Sequence, residues 1–161
     1  MAIVVEDGTI VTGANSYVTT AALTTYATAR GVTLTSGAET LLIQAMDYIE
    51  SLDYKGVRID RDQPLKFPRA GIMVDGFELV YTTIPDYLKN GLMHTAMAID
   101  AGNGPLLDLP RATKREKVGE IEVEYSDSSS SVIIVRKIMA MLHPLLASGG
   151  YGGNNFTVSK A

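Results

Sequence analysis

Residues 36–52 read Ser-Gly-Ala-Glu-Thr-Leu-Leu-Ile-Gln-Ala-Met-Asp-Tyr-Ile-Glu-Ser-Leu, and this stretch has the clearest helix start in the chain. Its apolar residues recur every three or four positions, the spacing of a helix with one buried face. Ser36 and Glu39 have the spacing of a capping box, in which the two side chains satisfy backbone N–H groups of the first turn. The pattern predicts an amphipathic helix that begins at Ser36 and ends near Asp53.

Three further stretches with this periodicity predict helices over residues 20–30, from Pro85 to about residue 102, and over residues 132–143. Gly91 lies inside the third of the four helices and costs roughly 1 kcal/mol relative to alanine, which predicts that another segment packs closely there. Asp75-Gly76 between two apolar runs predicts a short β-hairpin, because both residues tolerate positive φ. We therefore expect a mainly α fold, a four-helix domain with a short β-hairpin.

Two segments are expected to project from this domain. Residues 105–131 contain a basic cluster and then Glu-Ile-Glu-Val-Glu-Tyr at 120–125, whose strict alternation predicts a strand within a β-arm. The glycine-rich run at 149–153 predicts a flexible connection to an extended C-terminal tail. We expect one domain over residues 1–148, including the arm, and a tail over residues 149–161.

Composition excludes several classes of function. The chain has 161 residues, 46% of them hydrophobic, and a formal net charge of −4, which argues against a dedicated duplex-DNA binder. It contains no cysteine, so disulfides, thiolate metal sites and cysteine nucleophiles are impossible. No apolar run approaches the ~20 residues that span a bilayer, so we expect a soluble protein without membrane contact.

The sequence offers no constellation for catalysis. Its two histidines, His94 and His143, fall on different predicted helices, so no metal site is expected. A nucleophile elbow, a phosphate loop and a dinucleotide fingerprint are all missing. We therefore expect a non-enzyme without a cofactor, while two short basic clusters, in residues 55–69 and 111–117, leave contact with nucleic-acid phosphates open.

Several motifs resemble those of one known family. Asn15-Ser16-Tyr17-Val18 looks like its opening, residues 48–56 match its second element, and Ile84-Pro85 opens a helix as expected. Gln-Pro-Leu-Lys-Phe-Pro-Arg-Ala-Gly at 63–71 resembles its most diagnostic loop, with Phe67 where many relatives carry tryptophan. The family is the head–tail connector, or adaptor, proteins of tailed bacteriophages, often labelled DnaT-like single-stranded-DNA-binding proteins. The resemblance covers residues 14–98 well and the remainder loosely.

The resemblance implies a structural protein of the virion neck, made in the host cytoplasm, that forms a ring of usually twelve identical subunits. Packaged double-stranded DNA would pass through the ring without sequence-specific contact. The portal protein would lie above the ring, and a downstream neck or tail-completion protein below it. A single-stranded-DNA-binding accessory of replication is the alternative function.

Three groups of residues are expected to make these contacts. The loop after the second helix either contacts the adjacent subunit or packs Phe67 within its own chain; its residues are Tyr54, Arg58, Arg61, Gln63, Phe67 and Arg69. The tail either adds a strand to the portal or is an unstructured end; its residues are Asn155, Phe156, Thr157, Val158 and Ser159. The arm lines the DNA channel or meets the next ring, through Arg111, Lys114, Arg115, Lys117, Glu120, Glu122 and Glu124.

Overall fold

The computed structural model of the chain describes residues 2–102, 115–118, 121–124 and 130–147. Its helices are α1 (Thr20–Thr28), α2 (Ala38–Ser51), α3 (Asp86–Asp100) and α4 (Ser130–Leu142). Its strands are β1 (Val57–Arg58), β2 (Arg69–Ala70), β3 (Met73–Val74), β4 (Phe77–Glu78), β5 (Arg115–Val118) and β6 (Ile121–Glu124).

The expected mainly α fold is wrong, because the described chain combines its four helices with three two-stranded antiparallel sheets. The predicted hairpin forms at β3–β4, where Asp75 and Gly76 both have positive φ. A second sheet, β1–β2, closes the segment that the sequence predicted as a plain loop, pairing Val57 with Ala70 and Arg58 with Arg69. The chain is a small mixed α and β fold.

Helix starts differ from the predictions by one residue in two cases. Thr19 caps α1, its Oγ1 accepting the Ala22 N–H at 3.0 Å. The predicted capping box is wrong: Gly37 is the N-cap of α2 and makes no side-chain cap bond, while the Ser36 N–H donates to the Asp100 carboxylate at 2.8 Å. Similarly, Pro85 is the N-cap of α3 and not its first residue.

The core forms where α2 packs on α3 and α3 packs on α4. Gly91 of α3 is buried against α4, and a Cβ built on it would lie only 2.4 Å from Cδ2 of Leu142. The predicted close packing at this glycine is therefore confirmed. Each fully buried Leu, Ile or Phe side chain contributes about 1.5–3 kcal/mol; the helical ones among them are Leu23, Leu41, Leu42, Ile49, Leu88, Leu92, Ile138 and Leu142.

Segment 63–71 is held to the core by aromatic and polar contacts. Phe67 is 1% exposed, and its ring meets those of Tyr17 and Tyr54 edge-on, with centroids 6.3 Å and 5.0 Å apart. The Tyr17 hydroxyl donates to Glu50 at 2.5 Å and accepts the Phe67 N–H at 3.1 Å. Burial, reinforced by the Glu50 charge, raises the pKa of Tyr17, so its hydroxyl keeps the proton that it donates.

The N-terminal segment closes into a loop of its own, and the chain after α4 bonds to the residues that follow α2. The buried Glu6 carboxylate accepts N–H groups from Gly8, Ile10 and Val11 at 2.8–2.9 Å, which folds the N-terminal segment into a tight loop. After α4, the Lys55 N–H donates to the Leu145 carbonyl at 2.9 Å and the Ala147 N–H to the Asp53 carbonyl at 3.0 Å. The chain after α4 thereby pairs antiparallel with the residues that follow α2.

Candidate nucleic-acid interface

The Arg30 guanidinium and the His94 imidazole both contact the Tyr26 ring where α1 packs on α3, and the charge of Lys137 on α4 acts on His94. Tyr26 and Arg30 come from α1 and the turn after it, His94 from the middle of α3, and Lys137 from α4. We call these four residues the Tyr26 cluster. Arg30 and Lys137 are exposed, and Tyr26 and His94 are half-buried, so the cluster lies at the surface.

The cluster is ordered by direct contacts to the Tyr26 ring. The Arg30 guanidinium lies over one face of the ring, 3.3 Å from its centroid, and also donates to the Tyr26 carbonyl at 3.1 Å. The His94 ring meets Tyr26 edge-on, with centroids 5.6 Å apart and an interplanar angle of 89°. A cation–π contact of this kind stabilises by about 0.5–1 kcal/mol at an exposed site, enough to favour one guanidinium orientation.

Positive charge dominates the electrostatics of the cluster. Burial lowers the pKa of His94, and the positive charges of Lys137 and Arg30 lower it further. Burial raises the pKa of Tyr26, against the opposing effect of the Arg30 charge. All the described charges that act on these two rings are therefore cations.

The helices that carry the cluster have few acids near it. Helix α1 contains no Asp or Glu, and those of α3 are Asp86 and Asp100, at its two ends. With a rise of 1.5 Å per residue they lie about 12 Å and 9 Å along the axis from His94. Asp100 also accepts three hydrogen bonds from Thr35 and Ser36, which hold its carboxylate at the C-terminal end of α3.

Most of the predicted subunit-contact residues are engaged within the chain. Tyr54 is buried, its hydroxyl donating to the Ile49 carbonyl at 2.8 Å, and the buried Gln63 side chain donates to the carbonyls of Leu65 and Pro68. Arg69 donates to the carbonyls of Tyr54, Lys55 and Gly56. Together with the burial of Phe67, these contacts match the intrachain alternative; subunit contact stays a prediction.

The two arginines at the tip of this loop differ in their surroundings. The Arg58 guanidinium donates to the Gln63 and Leu65 carbonyls, which closes the loop between β1 and β2. Arg61 is exposed. Arg61 is therefore the residue of the predicted group best placed to meet another molecule.

The predicted arm contains a β-hairpin, β5–β6. Its register sets Arg115 opposite Glu124 and Lys117 opposite Glu122, so each of these two basic positions pairs with an acidic position on the other strand. The sequence predicted the second strand but not that the basic cluster supplies its partner. Arg111, Lys114 and Glu120 lie outside the described residues, as do all the tail residues, Asn155, Phe156, Thr157, Val158 and Ser159.

Sequence reasoning did not find the Tyr26 cluster. Tyr26 and Arg30 are four residues apart within the predicted first helix, a spacing that lets the two side chains touch. No pattern in the sequence predicts that His94 and Lys137 come near these two residues, because α1 and α4 are brought together only by packing on α3.

The described part of the chain holds neither a metal-binding cluster nor a helix that could span a membrane. Among residues 2–102, 115–118, 121–124 and 130–147, no three His, Asp or Glu side chains come together in a way that could hold a metal ion. Within the same ranges, every helix is too short or too polar to cross a bilayer.

Comparison with known proteins identifies the family. The family model described as "Putative DnaT-like ssDNA binding protein" matches residues 1–160. A comparison with curated proteins gave no match, and a comparison with solved structures gave none.

Proposed function

The chain belongs to the DnaT-like ssDNA binding protein family, and on that premise we propose that it binds single-stranded DNA through the Tyr26 cluster. The family description favours this alternative of the sequence analysis over a head–tail adaptor. The observation that carries the proposal is the Arg30 guanidinium stacked 3.3 Å above the Tyr26 ring, with His94 edge-on to the same ring and the charge of Lys137 acting on His94. Single-strand binding combines such aromatic and guanidinium planes with cations that contact phosphates.

Tyr26, Arg30 and Lys137 bind the base and the phosphates in this proposal. A base stacks on the exposed side of the Arg30 guanidinium, which Tyr26 supports from behind. Lys137 and Arg30 contact the backbone phosphates. Stacking of this kind contributes about 1–3 kcal/mol per base. Because one ring and two full cations form the site, we expect weak binding that covers only a few nucleotides.

The net charge of −4 is compatible with a local binding site. Phosphates respond mainly to charges within about 10 Å at ordinary ionic strength, because salt screens those farther away. The Arg30 guanidinium lies directly on the Tyr26 ring, whereas the acids of α3 lie about 9 Å and 12 Å along the helix axis from His94. Two phosphate contacts predict a slope of about −1.4 for the logarithm of affinity against the logarithm of salt concentration.

The test is fluorescence anisotropy with a labelled thymidine oligonucleotide across a salt series. Tyr26→Ala removes the support for stacking and should weaken binding by about 5- to 150-fold, the equivalent of about 1–3 kcal/mol. Lys137→Glu should reduce the salt slope. Arg61→Glu is the matched control, because it makes the same charge change at an exposed arginine outside the cluster. Equal affinity of all three variants and the parent would refute the site.

A second candidate function is the head–tail adaptor of a tailed phage, a non-enzymatic ring subunit of the virion neck. One observation favours it: large hydrophobic side chains are exposed in one part of the chain, residues 57–87. Phe77 is 78% exposed, and such surfaces are typical of protein–protein contacts. The described residues in this set are Val57, Ile59, Met73, Phe77, Val80, Tyr81 and Tyr87.

This candidate predicts a ring, of about twelve copies in the related adaptors, that binds a portal protein through residues 155–159. Light scattering and electron microscopy of the purified chain measure the ring, and co-sedimentation with a portal measures docking. Phe77→Asp should disrupt the ring, whereas Thr83→Asp, an exposed polar control nearby, should not. A monomer that binds an oligonucleotide but no portal would exclude the adaptor function.

A further inference from the structure

His94 lies in the Tyr26 cluster, where a bound phosphate would change the charge around its imidazole. The Tyr26 ring meets its imidazole edge-on from α1, and the charges of Arg30, in the turn after α1, and of Lys137, on α4, act on it. On α3 itself, the residues one turn before and after are Asn90 and Ala98, neither of which is charged. Helix α2 also packs on α3 but supplies none of the described charges that act on the imidazole.

We propose that His94 is a third phosphate contact of this site, and that it takes up a proton when single-stranded DNA binds. This inference rests on the proposed single-strand binding and adds a dependence on pH. A neutral imidazole offers one N–H donor, whereas the protonated form offers two and a positive charge. A phosphate placed between His94, Arg30 and Lys137 therefore favours the protonated form.

The free and bound sites differ in the amount of positive charge around the imidazole. In the free protein, burial and the two neighbouring cations disfavour protonation and hold the pKa of His94 below its usual value. The phosphate brings one negative charge, which offsets part of the positive charge of the two cations and attracts the protonated imidazole, so the pKa rises. The bound state thus holds more protons than the free state near neutral pH, so affinity increases as pH falls.

The size of the effect is limited by the single proton. One proton taken up changes affinity by at most about tenfold per pH unit. From pH 8 to pH 6 we expect an increase of about five- to tenfold. The salt dependence should change as well, because a third cation joins the site: its slope should steepen from about −1.4 at pH 8 to about −2.1 at pH 6.

The experiment measures oligonucleotide binding by anisotropy from pH 6 to pH 8, with a salt series at each end. A thymidine oligonucleotide is the probe, since neither thymine nor the phosphodiester titrates in this range. His94→Gln should weaken binding at pH 6 by about five- to tenfold and lose both the pH dependence and the steeper slope. His143→Gln is the matched control, because His143 is an exposed histidine outside the cluster; it should behave as the parent does.

An NMR titration gives an independent readout. The imidazole signals of His94 should titrate at higher pH with saturating oligonucleotide than without it. Binding that is independent of pH, or a pH dependence that His94→Gln preserves, would overturn the inference and leave single-strand binding intact. Absence of binding at every pH would overturn the proposed function and this inference together.

Discussion

Gly91→Ala tests how tightly α3 and α4 are packed. The added methyl carbon would lie 2.4 Å from Cδ2 and 2.9 Å from Cγ of Leu142. Carbon atoms prefer separations of about 3.5–4.0 Å, so both contacts are strongly repulsive. Leu142 is fully buried and cannot move into solvent. Either its rotamer changes or α4 shifts away from α3.

The expected cost follows from two opposing contributions. Overpacking of a filled core destabilises by about 1–3 kcal/mol. Replacing a glycine inside a helix by alanine stabilises by about 1 kcal/mol. Because two Leu142 carbons lie within 3 Å of the new methyl group, we expect a value near the upper limit of the overpacking range. The net loss in the free energy of unfolding should be about 2 kcal/mol.

Urea denaturation of the full chain measures this loss, and a double-mutant cycle identifies its cause. Leu142→Ala alone should destabilise by about 2–5 kcal/mol, since it leaves a cavity. In the double variant the methyl group at position 91 occupies space that Leu142 has vacated. The double variant should therefore be more stable than additivity predicts, by about 1–3 kcal/mol. Additive effects, or a stabilising Gly91→Ala, would refute the packing argument.

Three further predictions concern polar contacts. Hydrogen bonds from Thr35 and Ser36 hold the pKa of Asp100 at about 2. The stability that they provide is therefore complete above the ordinary pKa near 3.8 and is lost as pH falls toward 2. In acid-unfolding curves, Asp100→Asn should lose less stability than the parent over that pH interval. Tyr17→Phe should lower the free energy of unfolding by about 1–3 kcal/mol in urea, because it leaves buried partners unpaired. Glu6→Gln should lower the thermal midpoint, as an amide oxygen and NH₂ group replace two acceptor oxygens facing three N–H donors; an unchanged midpoint would contradict this.

The sequence predicts those parts of the fold that depend on local patterns. The four helices, the Thr19 cap and the Asp75-Gly76 turn each follow from residues within a few positions of one another. Gly91 was also informative, since a glycine inside a helix needs a reason. Each of these features depends on residues that are close together in the sequence, where periodicity and turn chemistry determine the local structure.

The features that the sequence missed depend on distant partners. Strands β1 and β2 are two residues each, too short to show alternation, and they form because Phe67 and Arg69 hold their loop closed. Asp100 competes with the predicted capping box for the Ser36 N–H from 64 positions away. Contacts of this range leave no local pattern, and the Tyr26 cluster is missed for the same reason.

The pairing of the chain after α4 with residues 53–55 bears on how the protein folds during synthesis. Leu145 and Ala147 bond to a segment that leaves the ribosome almost a hundred residues earlier. At roughly 5–20 residues per second, the ~45 residues between Gly102 and Ala147 take about 2–9 s to translate. Throughout that interval the side of α3 that receives Leu142 has no partner. The nascent chain therefore passes through a seconds-long stage that exposes apolar surface and is open to chaperones or premature association with a neighbouring nascent chain.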